Sequence, residues 1–170
     1  VQVYACPSDP TFTNGVGNNG WSVVSYSPVH ATFSSANVAD VSNGVYYNSQ
    51  SKYRIGNMPD GTSQIVGIVE RYNQLTYYGW YNNLNYPCSS YHWGWNSNCS
   101  GYGPWGWYTP QVQPTVPNGQ AHPYYPNSGH AVMNAMLMDA SVRGISGSVN
   151  GTQWSWMCLP DDNNPITWEN

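Results

Sequence analysis

Short runs of β-branched and aromatic residues, several with apolar and polar positions in alternation, mark strands at 21–26, 45–47, 64–72, 75–81, 131–138 and 141–145. The 64–72 and 75–81 runs are separated by Asn73-Gln74 and predict one hairpin. The 131–138 and 141–145 runs flank Asp139 and predict a second. Helix signals are poor, because Gly and Pro recur while Ala, Leu, Glu and Lys are scarce. Residues 102–126 carry many prolines and read as an extended loop. No period of 20–50 residues is present, which excludes repeat architectures. The pattern therefore predicts one domain over 1–170, mainly β, with an antiparallel sheet wrapped by long coil.

Composition changes the picture in one respect, the surface. Only 7% of the 170 residues are charged, against about a quarter in an ordinary domain. The longest apolar run, around Ala135–Met138, is far too short to span a bilayer. The 9 Trp and 15 Tyr argue against disorder. What remains is a folded chain with a nearly neutral surface of Asn, Ser, Gly, Thr and Tyr. A net charge of −4 with 4 Lys plus Arg excludes nucleic acid as a partner, since phosphate neutralisation needs a basic face. Sparse charge also gives little repulsion between copies and so tolerates dense self-assembly.

Four cysteines stand at positions 6, 88, 99 and 158 without a Cys-x-x-Cys spacing, which counts against zinc-finger and thioredoxin-like chemistry. Three pairings exist. The favoured one joins Cys88 to Cys99 across a short aromatic loop and Cys6 to Cys158 across the domain ends, as in a chain oxidised outside the cytoplasm. The segment 72–126 around Cys88 and Cys99 is an aromatic insertion. In it Trp80, Trp93, Trp95, Trp105 and Trp107 serve either as core or as a flat platform for a neighbouring subunit or a glycan. Alternation in Trp93-Gly94-Trp95 and Trp105-Gly106-Trp107 places both indoles of each pair on one strand face.

Imitations of catalytic motifs fail on context. Gly15-Val16-Gly17-Asn18-Asn19-Gly20 fits a dinucleotide fingerprint, but a strand-like run follows it where a helix is required. His30, His92, His122 and His130 belong to no nucleophile elbow and no zinc-protease motif. Acid pairs for glycoside hydrolysis are not apparent among 8 Asp plus Glu. No residue is assigned to catalysis. Asn98-Cys99-Ser100 and Asn150-Gly151-Thr152 satisfy the N-glycosylation sequon, at Asn98 and Asn150.

Four blocks carry a resemblance. They are Cys6-Pro7-Ser8-Asp9-Pro10, Ser25-Tyr26, Asp60-Gly61-Thr62-Ser63 leading to Glu70, and His130 nine positions before Asp139 in a segment ending Ser141-Val142-Arg143. In this order they resemble a bacterial pilin-like family close to type II secretion pseudopilins, whose histidine precedes an Asp-Gly-Ser-Val-Arg turn. Here Ala140 replaces the glycine, which predicts a different turn type and a shifted register. The resemblance implies a structural subunit of an extracellular filament or envelope assembly, whose partners are copies of itself. An α+β description would apply if the family's N-terminal apolar helix were counted, and that helix is absent from the sequence. Membrane contact would come only through it. His130, beside the motif, reads as a structural anchor whose ring fixes the hairpin by a hydrogen bond, ahead of the alternative of a catalytic base. The oxygen-rich Asp161-Asp162 loop reads first as a plain solvent-exposed turn, and the resemblance adds a structural calcium there as the alternative; no other cofactor is expected. The runner-up function is a secreted carbohydrate-binding module using the tryptophan platform on surface polysaccharide.

Overall fold

A computed structural model describes residues 5–11, 24–33, 53–72, 74–76, 85–87, 109–114 and 125–168. Its centre is a four-stranded antiparallel sheet of β1 (Tyr26–Pro28), β2 (Val66–Glu70), β7 (Met133–Leu137) and β8 (Val142–Ile145), in the order β1-β2-β7-β8. Two small ribbons accompany it: β3 (Gln74–Thr76) pairs antiparallel with β4 (Asn85–Pro87), and β5 (Gln111–Val112) pairs parallel with β6 (Asn127–Ser128). Among the described residues, two α-helices, α1 (His30–Phe33) and α2 (Gly151–Cys158), and a 3-10 turn at Ile55–Asn57 complete the set. Among the described residues no helix is long and apolar enough to cross a membrane.

The alternation in β7 explains its place. Met133, Ala135 and Leu137 are buried while Asn134 and Met136 are less so, the period-two pattern of a sheet with one packed face. β2 lies between β1 and β7, with Val66, Val69 and Glu70 buried. Val69 faces Ser27 on one side and Ala135 on the other, and an irregularity in register falls between Val66 and Ile68.

This pairing corrects the first expected hairpin. Both edges of β2 are already taken, so 64–72 does not pair with 75–81; β3 pairs with β4 instead. The second hairpin stands, since β7 pairs with β8 from Met133↔Ile145 to Met136↔Val142.

A second correction is helical. α2 begins at Asn150, whose side chain accepts the Thr152 amide at 2.8 Å, a regular N-cap. Trp154, Met157 and Cys158, spaced i, i+3, i+4, then fall on one face and join the core with Val29, Val66, Val69, Met133, Leu137 and Ile145. The Thr32 hydroxyl sits 2.7 Å from the Val66 carbonyl and 3.2 Å from that of Cys158, which ties α1, β2 and α2 together.

The expected Cys6–Cys158 bridge is not formed, and both are buried free thiols. Cys158 belongs to the core beside the Val66 end of β2, whereas Cys6 faces His130 near the Glu70 end. Cys88, Cys99, Trp80, Trp93, Trp95, Trp105, Trp107, Asn98 and the 45–47 run lie outside the described residues.

Candidate functional site

The motif residues gather at the two ends of β2. At the Val66 end, the Asp60–Ser63 turn meets the β7–β8 hairpin. Asp139 N donates to the Thr62 carbonyl (3.2 Å), and Met138 N donates to that of Ile65 (2.9 Å). Gly61 sits at φ +83°, where glycine is the natural occupant. Asp60 reaches across to the C-terminal loop, its carboxylate accepting the amides of Asp162 (3.0 Å) and Asn163 (3.1 Å). Asp161 accepts from the Tyr53 hydroxyl, and Asp162 caps the Asn164 amide at 3.0 Å. In this loop Asp162 closes a turn while Asp161 ties the loop to Tyr53. Among the described residues neither Asp161 nor Asp162 joins a group of three metal-capable side chains.

Within the hairpin, the Asp139 carboxylate accepts both the amide (2.9 Å) and the hydroxyl (2.6 Å) of Ser141, and these bonds hold its pKa below the usual value. Ala140 adopts φ +68°. The expected change of turn type therefore does not follow from the missing glycine: alanine itself occupies the left-handed region, at a strain cost of about 1 kcal/mol. Arg143 leaves the turn to lie over the Trp168 ring, 4.7 Å from its centroid.

The Glu70 end is the candidate site. Glu70 is 3% exposed, at the last position of β2. One carboxylate oxygen accepts the Ser128 hydroxyl (2.5 Å) and the Asn134 amide (2.9 Å); the other accepts the Asn134 side-chain NH₂ (2.9 Å) and lies 3.3 Å from His130 Nε2. His130 Nε2 also lies 3.4 Å from the Cys6 sulfur. Cys6 reaches it on a turn closed by Asp9 N donating to the Cys6 carbonyl (3.0 Å). Asp9, itself buried, accepts from the amide and hydroxyl of Thr11 and from the hydroxyl of Ser25 (2.8 Å). Pro7 and Ser8 are exposed on the outside of the turn. Gly129 packs against this turn so closely that a Cβ there would stand 1.8 Å from the Ser8 carbonyl oxygen. Burial, with the Cys6 sulfur and Glu70 beside it, pushes the Tyr26 phenol up.

This arrangement brings together Cys6, Asp9, Ser25, Tyr26, Glu70 and His130, drawn from all four sequence blocks. Sequence reasoning missed Ser128, Gly129 and Asn134. The first two could have been found, since they directly precede His130 on the entry to β7.

The geometry is not that of a thiol protease. In such a triad the acid orients one ring nitrogen while the thiol meets the other. Here sulfur and carboxylate both meet Nε2. Burial raises the Cys6 thiol, with Glu70 and Asp9 adding to it, so the reactive thiolate is disfavoured. Glu70 already accepts three hydrogen bonds from Ser128 and Asn134. The group acts as a strut between the N-terminal turn, β2 and the segment before β7.

A family described as a protein of unknown function (DUF1559), SBP_bac_10, matches residues 1–152. The chain belongs to this family. No curated protein and no solved structure matches it.

Proposed function

We propose that this DUF1559 chain is the head domain of a pilin-like structural subunit, which self-associates into an extracellular filament or envelope assembly without catalysing a reaction. The observation that carries the reading is the family match over residues 1–152, a family associated with pilin-like and type II secretion-like proteins. Two further features support it. The sequence blocks that carry the resemblance are spent on joining loops to the ends of β2, with Glu70 and Asp60 each accepting hydrogen bonds from distant segments. The surface is also nearly uncharged, with 7% charged residues, which suits close packing of identical copies.

The test is electron microscopy of surface material sheared from producing cells, labelled with antibody against this domain. Label along regular fibres or an ordered layer is expected. Label confined to the cell interior overturns the proposal, and so does a monomeric secreted chain that binds insoluble polysaccharide.

A further inference from the structure

We propose that Cys6, Glu70 and His130 form a binding site for one zinc-class divalent cation, joining the N-terminal turn to the sheet. Three chemically different donors converge here: a sulfur, an imidazole nitrogen and a carboxylate oxygen, all within 4.8 Å of one another. Two of them, Cys6 at 5% and Glu70 at 3% exposure, are buried with their donor atoms turned toward the same ring nitrogen. A tetrahedral centre with metal–sulfur bonds of about 2.3 Å and metal–nitrogen or metal–oxygen bonds of about 2.0–2.1 Å has edges of about 3.3–3.6 Å. The nitrogen–carboxylate separation is 3.3 Å and the sulfur–nitrogen separation 3.4 Å. The remaining sulfur–carboxylate separation lies within 4.8 Å.

The donor chemistry selects the ion. A thiolate favours a borderline-soft metal over calcium or magnesium, and imidazole with one carboxylate completes a set that suits zinc. As the metal–sulfur bond forms, the Cys6 thiol gives its proton to solvent. Thiolate and carboxylate then supply two negative charges that the dication neutralises. The His130 side chain is 38% exposed, which leaves a solvent-facing fourth position for water. The outer contacts that such a site needs are in place: Ser128 and Asn134 fix the carboxylate, and the Ser128 hydroxyl accepts the His130 amide at 3.1 Å.

The site stands independently of the assembly reading. Its test is titration of the full chain, reduced and stripped by chelator, with Co²⁺ and then Zn²⁺. One equivalent of Co²⁺ should give a near-ultraviolet thiolate-to-cobalt charge-transfer band that Zn²⁺ abolishes, with a rise in melting temperature. Cys6→Ser should lose the band. His130→Gln, which alters a half-exposed ring and leaves the core untouched, should weaken binding by at least about 100-fold. A chain carrying both Cys88→Ser and Cys99→Ser, and one carrying Cys158→Ala, should each keep the band. Absence of the band in the unmodified chain, its survival in Cys6→Ser, or unchanged affinity in His130→Gln overturns the proposal. Metal-free fibres from native cells would overturn this site alone.

Discussion

Ala140 holds a φ of +68° between two strands whose register it helps set. Its Cβ opposes that conformation, so Ala140→Gly should stabilise the domain by about 0.5–1 kcal/mol after the added freedom of the unfolded chain is deducted. Urea unfolding followed by tryptophan fluorescence measures it. The opposite change at Gly129 meets backbone, not a yielding side chain. Gly129→Ala should separate the Cys6–Asp9 turn from the sheet and cost about 1–3 kcal/mol by the same measurement. A third residue gives a pH signature. Burial pushes the Tyr72 phenol up to about 12 from 10, with the nearby Asp9 and Cys6 adding to the shift. Its hydroxyl lies 3.4 Å from the carbonyls of Pro114 and Ser128. The unfolded chain releases this proton first as pH rises. Stability is therefore fully present below pH about 10 and is lost, by about 1–2 kcal/mol, on the way to pH 12. Tyr72→Phe should flatten alkaline unfolding curves over that window; an unchanged slope would assign the loss to another group. Residue roles were legible where a side chain acts locally, as in Asp139 closing on Ser141. Glu70 was visible in the sequence as a motif residue but not as an acceptor, because Ser128 and Asn134 reach it from about 60 positions away.

At the scale of elements, the runs of β-branched and apolar residues located β2, β7 and β8 to within two residues, and the alternation is clearest in β7, whose Met133, Ala135 and Leu137 form a buried face. It misassigned the partner of β2, because two adjacent apolar runs satisfy a hairpin pattern whether or not the first already has neighbours on both edges. α2 was hidden for a different reason. Its eight residues include Gly151, two tryptophans and a threonine, poor helix formers, so propensity argued against it. The deciding signal was the Asn150 cap, which also reads as a glycosylation sequon. Packing of Trp154, fully buried among β2, β7 and β8 residues, holds the helix in place. Trp154→Ala should therefore cost about 3–5 kcal/mol, with loss of near-ultraviolet circular dichroism. A cost below about 1 kcal/mol would place that indole outside the core.

For the whole molecule, the family blocks are two knots at opposite ends of one central strand. One joins the Asp60 turn, the hairpin tip and the C-terminal loop, and the other joins the N-terminal turn to Glu70 and His130. That division was not visible in the sequence, which orders the blocks linearly and shows nothing of which end of β2 each one meets. Mainly β architecture was visible, because it follows from strand alternation and a shortage of helix formers. Covalent closure of the domain was not foreseen correctly: counting four cysteines gives an even number but no distances, and Cys6 and Cys158 belong to different knots.

The location of α2 also sets where the chain can be shortened. The family match covers residues 1–152 and stops two positions before the indole that seals the sheet. A fragment trimmed at that boundary keeps the Glu70 knot but loses the C-terminal loop that Asp60 holds, and it leaves Met133, Leu137 and Ile145 open to water. It should bind a hydrophobic dye and resist concentration, whereas one ending at 168 should do neither. The packed core thus extends past the residues that match the family.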